Sequence, residues 1–283
     1  LNTYAFRREF EKMKYHFEKL DSMNIVENHM APYFLKTRKS GFFIPYFKKW
    51  FESDQIPLET KNNYAACLAF SYESIGKKDQ ARKYIDFCDA NPAYYWFYLD
   101  ILCLKGKNAL SDGKINEADS LFKVAQHLDP TTPNYCKSLA WQGVVAEKRG
   151  DVTKADSFFQ LAIHRWLGSA WDDFYLQEEC HFLYGMFFIR QKRDYDAKTM
   201  FLKANEYAFQ NGYLGWYGLA CLESSRRNEK LAFHYLKKTL DADFPVRADL
   251  ENEALLQSIS KSKKFKTLLD QSFNMNLKFY NPD

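Results

Sequence analysis

The stretch Gly106-Lys107-Asn108-Ala109-Leu110-Ser111-Asp112-Gly113-Lys114-Ile115-Asn116-Glu117-Ala118-Asp119-Ser120-Leu121-Phe122-Lys123-Val124-Ala125 decides the fold. Gly113 divides it. On its far side Ala118, Phe122 and Ala125 fall on one helical stripe, with a ring between two small residues. On its near side Gly106 and Ala109 are again small and one turn apart. Small residues let two helix backbones approach closely, and the ring fills the space beside them. The stretch therefore predicts two helices joined by a tight turn.

The same arrangement recurs at a nearly fixed period, the mark of a repeat architecture. Ala81, Ala118, Ala155, Ala197 and Ala232 are separated by 37, 37, 42 and 35 residues. Four residues after each comes a bulky side chain: Ile85, Phe122, Phe159, Phe201 and Leu236. Three further on comes a small one: Cys88, Ala125, Ala162, Ala204 and Thr239. Twelve residues before each alanine stand Ala69, Gly106, Gly143, Gly185 and Ala220. The turn position holds Gly76, Gly113 and Gly150 in the first three units, and Lys192 and Arg227 in the last two. A single helix pair cannot bury its apolar face alone, so successive pairs must stack.

These residues resemble the tetratricopeptide repeat, most fully in the second unit (Gly106, Ala109, Gly113, Ala118, Phe122, Ala125, Asp129-Pro130). The third unit carries Leu139, Gly143, Gly150, Ala155, Phe159 and Ala162, and the fifth Trp216, Leu219, Ala220, Ala232 and Leu236. The resemblance implies an all-α fold, a right-handed α-solenoid of stacked antiparallel helix pairs. The family period is about 34 residues. The longer spacing between the third and fourth units, near Gly168-Ser169-Ala170-Trp171-Asp172-Asp173, predicts a lengthened helix or a loop.

Three segments follow. Residues 62–244 hold the five pairs. Residues 1–61 read as N-terminal helices, a diverged repeat or cap: one helix over Tyr4–Leu20, with Phe6, Phe10, Met13 and Phe17 at helical spacing, and a helical region over Tyr33–Phe51 broken near Gly41 and Pro45. Residues 245–283 resemble the closing segment of bacterial repeat arrays, with an acidic turn (Asp249-Leu250-Glu251) before a helix carrying Phe265, Leu268 and Leu269.

Composition agrees. Only 11 glycines and 8 prolines in 283 residues are too few for a turn-rich β architecture. A net charge of +4 is too small to argue for nucleic acid. No apolar run approaches the ~20 residues of a membrane span. The six cysteines lack C-x-x-C spacing and sit in apolar helical patterns, so they read as buried free thiols. The expected location is the cytoplasm, or the periplasm if a leader was removed before Leu1.

Motifs for chemistry are missing. No P-loop, H-E-x-x-H or G-x-S-x-G sequence occurs. Gly212, Gly215 and Gly218 open a helix, so they read as close-packing positions, not as a dinucleotide fingerprint. The adjacent Cys180 and His181 point in different directions on a helix, against a shared metal. Asp172-Asp173 with Glu178-Glu179 reads as a solvated acidic face. The basic residues of 226–238, and Lys261, Lys263, Lys264 and Lys266, read as solvated too. Neither an enzymatic activity nor a cofactor or metal is expected.

The resemblance assigns a concave face to the fifth and ninth residues of each first helix. In order these are Ala66 and Phe70, Cys103 and Lys107, Ala140 and Val144, Phe182 and Met186, Tyr217 and Cys221. Only Lys107 is charged, and the Lys/Asn clamp by which chaperone-binding members hold a carboxylate is not reproduced. Such an apolar strip receives a partner's helix or extended peptide, or is filled by the chain's own N-terminal helices or by tight superhelical closure. The expected function is a non-enzymatic protein–protein interaction scaffold. The alternative is a regulatory or sensing module of a larger assembly, such as a bacterial transcriptional regulator or a secretion or pilus assembly component.

Overall fold

The computed structural model describes residues 10–23, 38–91, 97–128, 133–164, 172–208 and 212–274. All regular structure among them is helical. They fall into two compact units: residues 1–98 with 240–254 and 260–283, and residues 99–239 with 255–259.

In the first unit, α1 (Phe10–Ser22) buries Phe10, Met13 and Phe17 on the predicted stripe. Residues 1–9 and 24–37, parts of the two N-terminal helical predictions, lie outside the described residues. A 3₁₀ turn over Arg38–Phe43 runs into α2 (Ile44–Phe51), with a proline in its first turn, where no N–H is needed. Rings tie these pieces together: Phe17 meets Phe43 edge-on at 4.9 Å and Tyr46 at 5.1 Å. Phe47 reaches Tyr64 at 6.2 Å. Tyr64 lies on α3 (Leu58–Ser74), which pairs with α4 (Lys78–Ala90). Every residue of α3 from Asn62 to Tyr72 is buried, so this helix is enclosed on all sides. The segment after the fifth pair also lies in this unit: a Cβ on Gly76 would sit 3.3 Å from Val246.

The second unit contains four pairs: α5 (Tyr98–Ser111) with α6 (Ile115–Leu128), α7 (Pro133–Lys148) with α8 (Val152–His164), α9 (Asp172–Arg190) with α10 (Asp194–Tyr207), and α11 (Leu214–Ser225) with α12 (Glu229–Asp241). Three first helices pack on the pair before them: α7 on α6, α9 on α7 and α8, α11 on α9 and α10. At 19 residues, α9 is longer than α7 at 16 or α11 at 12, so the wider spacing goes partly into helix length. Residues 165–171 lie outside the described residues.

The predicted contacts are realised atom by atom. A Cβ on Gly106 would lie 2.5 Å from the Phe122 ring, one on Gly143 2.9 Å from Phe159, and one on Gly185 2.5 Å from Phe201. The three rings are fully buried. A Cβ on Gly218 of the following pair would lie 2.2 Å from the same ring, and one on Gly215 2.5 Å from the Phe201 carbonyl oxygen. Gly215 and Gly218 therefore serve helix approach, while Gly212 precedes α11 and faces the Ala208 side chain.

All five turns share one hydrogen-bond pattern. The N–H groups of Lys77, Lys114, Asp151, Arg193 and Asn228 reach back five residues to the carbonyls of Tyr72, Ala109, Ala146, Phe188 and Glu223, at 2.8–3.0 Å. This termination needs a residue with positive φ just before the donor. Gly113 supplies it at φ 75°, and Lys192 and Arg227 both adopt φ 60°.

In the C-terminal segment, α13 (Arg247–Asn252) and α15 (Lys263–Asn274) belong to the first unit and bury Leu250, Phe265 and Leu269. Between them, a 3₁₀ turn over Ala254–Leu256 and the four-residue α14 (Gln257–Ser260) bury Leu256 and Ile259. All six cysteines are buried and unbridged.

Candidate partner-binding face

In the second unit, the positions assigned to a concave face lie on α5, α7, α9 and α11. Of the sequence-assigned positions, Cys103, Met186, Tyr217 and Cys221 are buried, as is Phe70 in the first unit. Lys107, Val144 and Phe182 remain half-exposed. Phe182 stacks on Tyr217 at 5.7 Å and leans on Phe201 at 6.2 Å. Val144 packs with Trp141 against the Phe122 cluster. The Cys103 thiol lies 3.4 Å from the Ser138 hydroxyl.

Charge on this face is not confined to Lys107, as the sequence reading held. One turn before the fifth-position residues stand Asp100, Lys137 and Glu179, spaced 37 and 42 apart like the alanines. Lys137 Nζ donates to Asp100 Oδ1 at 3.3 Å, with only 3% of the lysine side chain exposed. Asn134 Nδ2 donates to the other Asp100 oxygen at 3.3 Å. Burial alone would pull the Lys137 pKa down, but the carboxylates of Asp100 and then Glu179 outweigh it and hold the ammonium charged, above the ordinary lysine range. Glu179 Oε1 accepts from Trp141 Nε1 at 3.0 Å and from Lys107 Nζ at 3.3 Å. Lys107 also sits 5.0 Å from the Trp141 ring centroid, in cation–π range. Carboxylates and ammoniums thus alternate from pair to pair, and each buried charge has an opposite neighbour.

Glu178 and Glu179 are correspondingly not a solvated acidic face. Both are buried. Successive helical residues diverge by about 100°, so Glu179 joins the inner ladder while Glu178 turns to the next pair, where Oε1 accepts the Leu214 N–H at the start of α11 at 3.1 Å. The side chains of Asp172 and Asp173 lie outside the described residues.

Burial pushes the Cys103 and Cys180 thiols up in pKa, against thiolate chemistry. His181 is buried on α9, its Nδ1 2.9 Å from the Gln177 carbonyl. Burial first, then Lys203 and His164, push its pKa down to about 4. No group of three or more His, Cys, Asp or Glu among the described residues is placed to hold a metal. No helix among them is long and apolar enough to cross a membrane.

No protein-family model matches the chain, and no curated protein does. Among solved structures, one similar chain comes from work described as "Functional Characterization of Pseudomonas Aeruginosa pilF". It shares 13% identity, with 78% of this chain and 96% of that chain covered, at a TM-score of 0.42.

Proposed function

We propose that the protein is a non-enzymatic interaction scaffold that holds a helix or extended peptide of a partner protein along the inner face of its first helices. One observation carries this reading: half-exposed Lys107, Trp141, Val144 and Phe182 lie on the consecutive first helices α5, α7 and α9, beside the fixed charges of Lys137 and Glu179. Aromatic anchors next to oriented polar groups are the composition of binding hot spots. The buried members, Cys103, Met186, Tyr217 and Cys221, support the row from behind. Phe70, in the first unit, is buried as well. On the same reading, residues 62–244 are the five-pair array, and residues 1–61 and 245–283 are capping segments.

The test is affinity capture with two variants, Lys107→Ala and Phe182→Ser, followed by quantitative binding of whatever the parent retains. Each should weaken binding by roughly tenfold or more, as hot-spot truncations do, while helicity by circular dichroism stays at the parental level. Parental affinity in both variants would remove the inner face from consideration.

A further inference from the structure

The turn position requires positive φ in every pair, and only the last two pairs fill it with residues that carry a Cβ. Lys192 and Arg227, both at φ 60°, are strained where Gly113 and Gly150 are not. Strain retained at two successive repeats is a sign of use. The two side chains are exposed, and neither has a partner among the described residues.

Their neighbours explain what is left over. The turn arginines reach back onto the preceding pair. Arg149 donates to Asp119 and Asn116, each at 2.8 Å; Arg190 grips Glu147 with two bonds of 2.6 Å; Arg226 lies 3.5 Å from Asp194. These pairs neutralise the arginines and set the turns of the third, fourth and fifth pairs in a row. Lys148, Lys192, Arg227 and Lys230 remain exposed and uncompensated among the described residues. Tyr195, 83% exposed, stands among them at the start of α10.

We propose that this turn edge is a second docking surface, separate from the inner face, for an acidic segment of a partner protein. Charge complementarity selects the sign of the ligand. Asp194 and Asp196 are spent on Arg226 and Arg193, at 3.5 and 2.7 Å, so they take nothing from the four cations. A peptide can space its carboxylates to meet those cations. One exposed tyrosine beside free cations suits a protein interface, whereas single-strand binding needs a series of stacking rings.

The experiment uses the full chain and a fluorescein-labelled Glu-rich peptide in an anisotropy titration. A Lys-rich peptide, a single-stranded oligodeoxynucleotide and phosphatidylglycerol vesicles are run in parallel. The parent should bind the Glu-rich peptide alone, and more weakly as salt rises. The double variant Lys192→Gly/Arg227→Gly should bind it roughly fivefold to tenfold more weakly, yet melt a few degrees higher because strain is relieved. The charge-reversed Lys192→Glu/Arg227→Glu should lose binding. No binding by the parent, tighter binding of the oligonucleotide or vesicles, or equal peptide affinity in the double glycine variant would overturn the proposal. A lower melting temperature in that variant would overturn the strain on which it rests.

Discussion

Glycine in the middle of a helix is normally a defect, and replacing it with alanine normally stabilises by about 1 kcal/mol. Gly185→Ala should do the opposite. A Cβ there would lie 2.5, 2.8 and 2.9 Å from three atoms of the Phe201 ring, where ordinary carbon contacts begin near 3.4 Å. The ring has little room to retreat, because it is fully buried and a Cβ on Gly218 of the next pair would lie 2.2 Å from it. Relief needs a shift approaching 1 Å in α9 or α10, and overpacking of this kind costs about 2–3 kcal/mol. Less the helix-propensity gain, the net loss is about 1–2 kcal/mol. Urea titration followed by circular dichroism measures it. Phe201→Leu in the same background should remove much of the penalty, giving a coupling of about 1 kcal/mol in the double-mutant cycle. If Gly185→Ala stabilises the protein, or the two substitutions add without coupling, the assigned contact between glycine and ring is wrong.

Four other outcomes follow from the same geometry. Lys192→Gly and Arg227→Gly should each raise stability by about 0.5–1 kcal/mol in urea titration, since glycine relieves the left-handed strain but adds chain entropy to the unfolded state. Lys137→Met should cost about 3–5 kcal/mol, because it leaves the buried Asp100 carboxylate without its cation; a smaller loss would mean that the Asp100–Lys137 pair is open to water. Stability should fall as pH drops from about 6.5 toward 4. His181 titrates near 4 when folded against an ordinary value of 6.5, so only the unfolded chain takes up its proton in that window. The loss is about 3 kcal/mol in total, and His181→Gln should flatten that part of the profile. Thiol labelling of all six cysteines by a maleimide should require global unfolding, since each is buried.

Much of the architecture could be read before any coordinates. Five alanines at regular spacing force close helix approach, and no other element accepts that pattern of small and bulky residues. The contacts of Gly106, Gly143 and Gly185 with the rings sixteen residues later follow directly. The strained turns were visible too, as missing glycines at Lys192 and Arg227. The inner charges were missed although their signal was present. Asp100, Lys137 and Glu179 repeat with the alanines, but the concave face was taken from the fifth and ninth helix positions alone. Glu178 and Glu179 read as one solvated cluster because adjacent acids look alike in sequence, while a helix sends them to different neighbours. The burial of α3 was not legible: its apolar run does not say how many sides will be covered, which depends on segments distant in the chain.

The central claim, that the second unit holds a partner on its inner face, is tested most directly by site-specific photo-crosslinking in cells. A benzophenone amino acid placed at Val144 should capture one discrete partner. The same group at Leu161, 54% exposed on α8, should capture none. Capture from Leu161 with none from Val144 would contradict the claim.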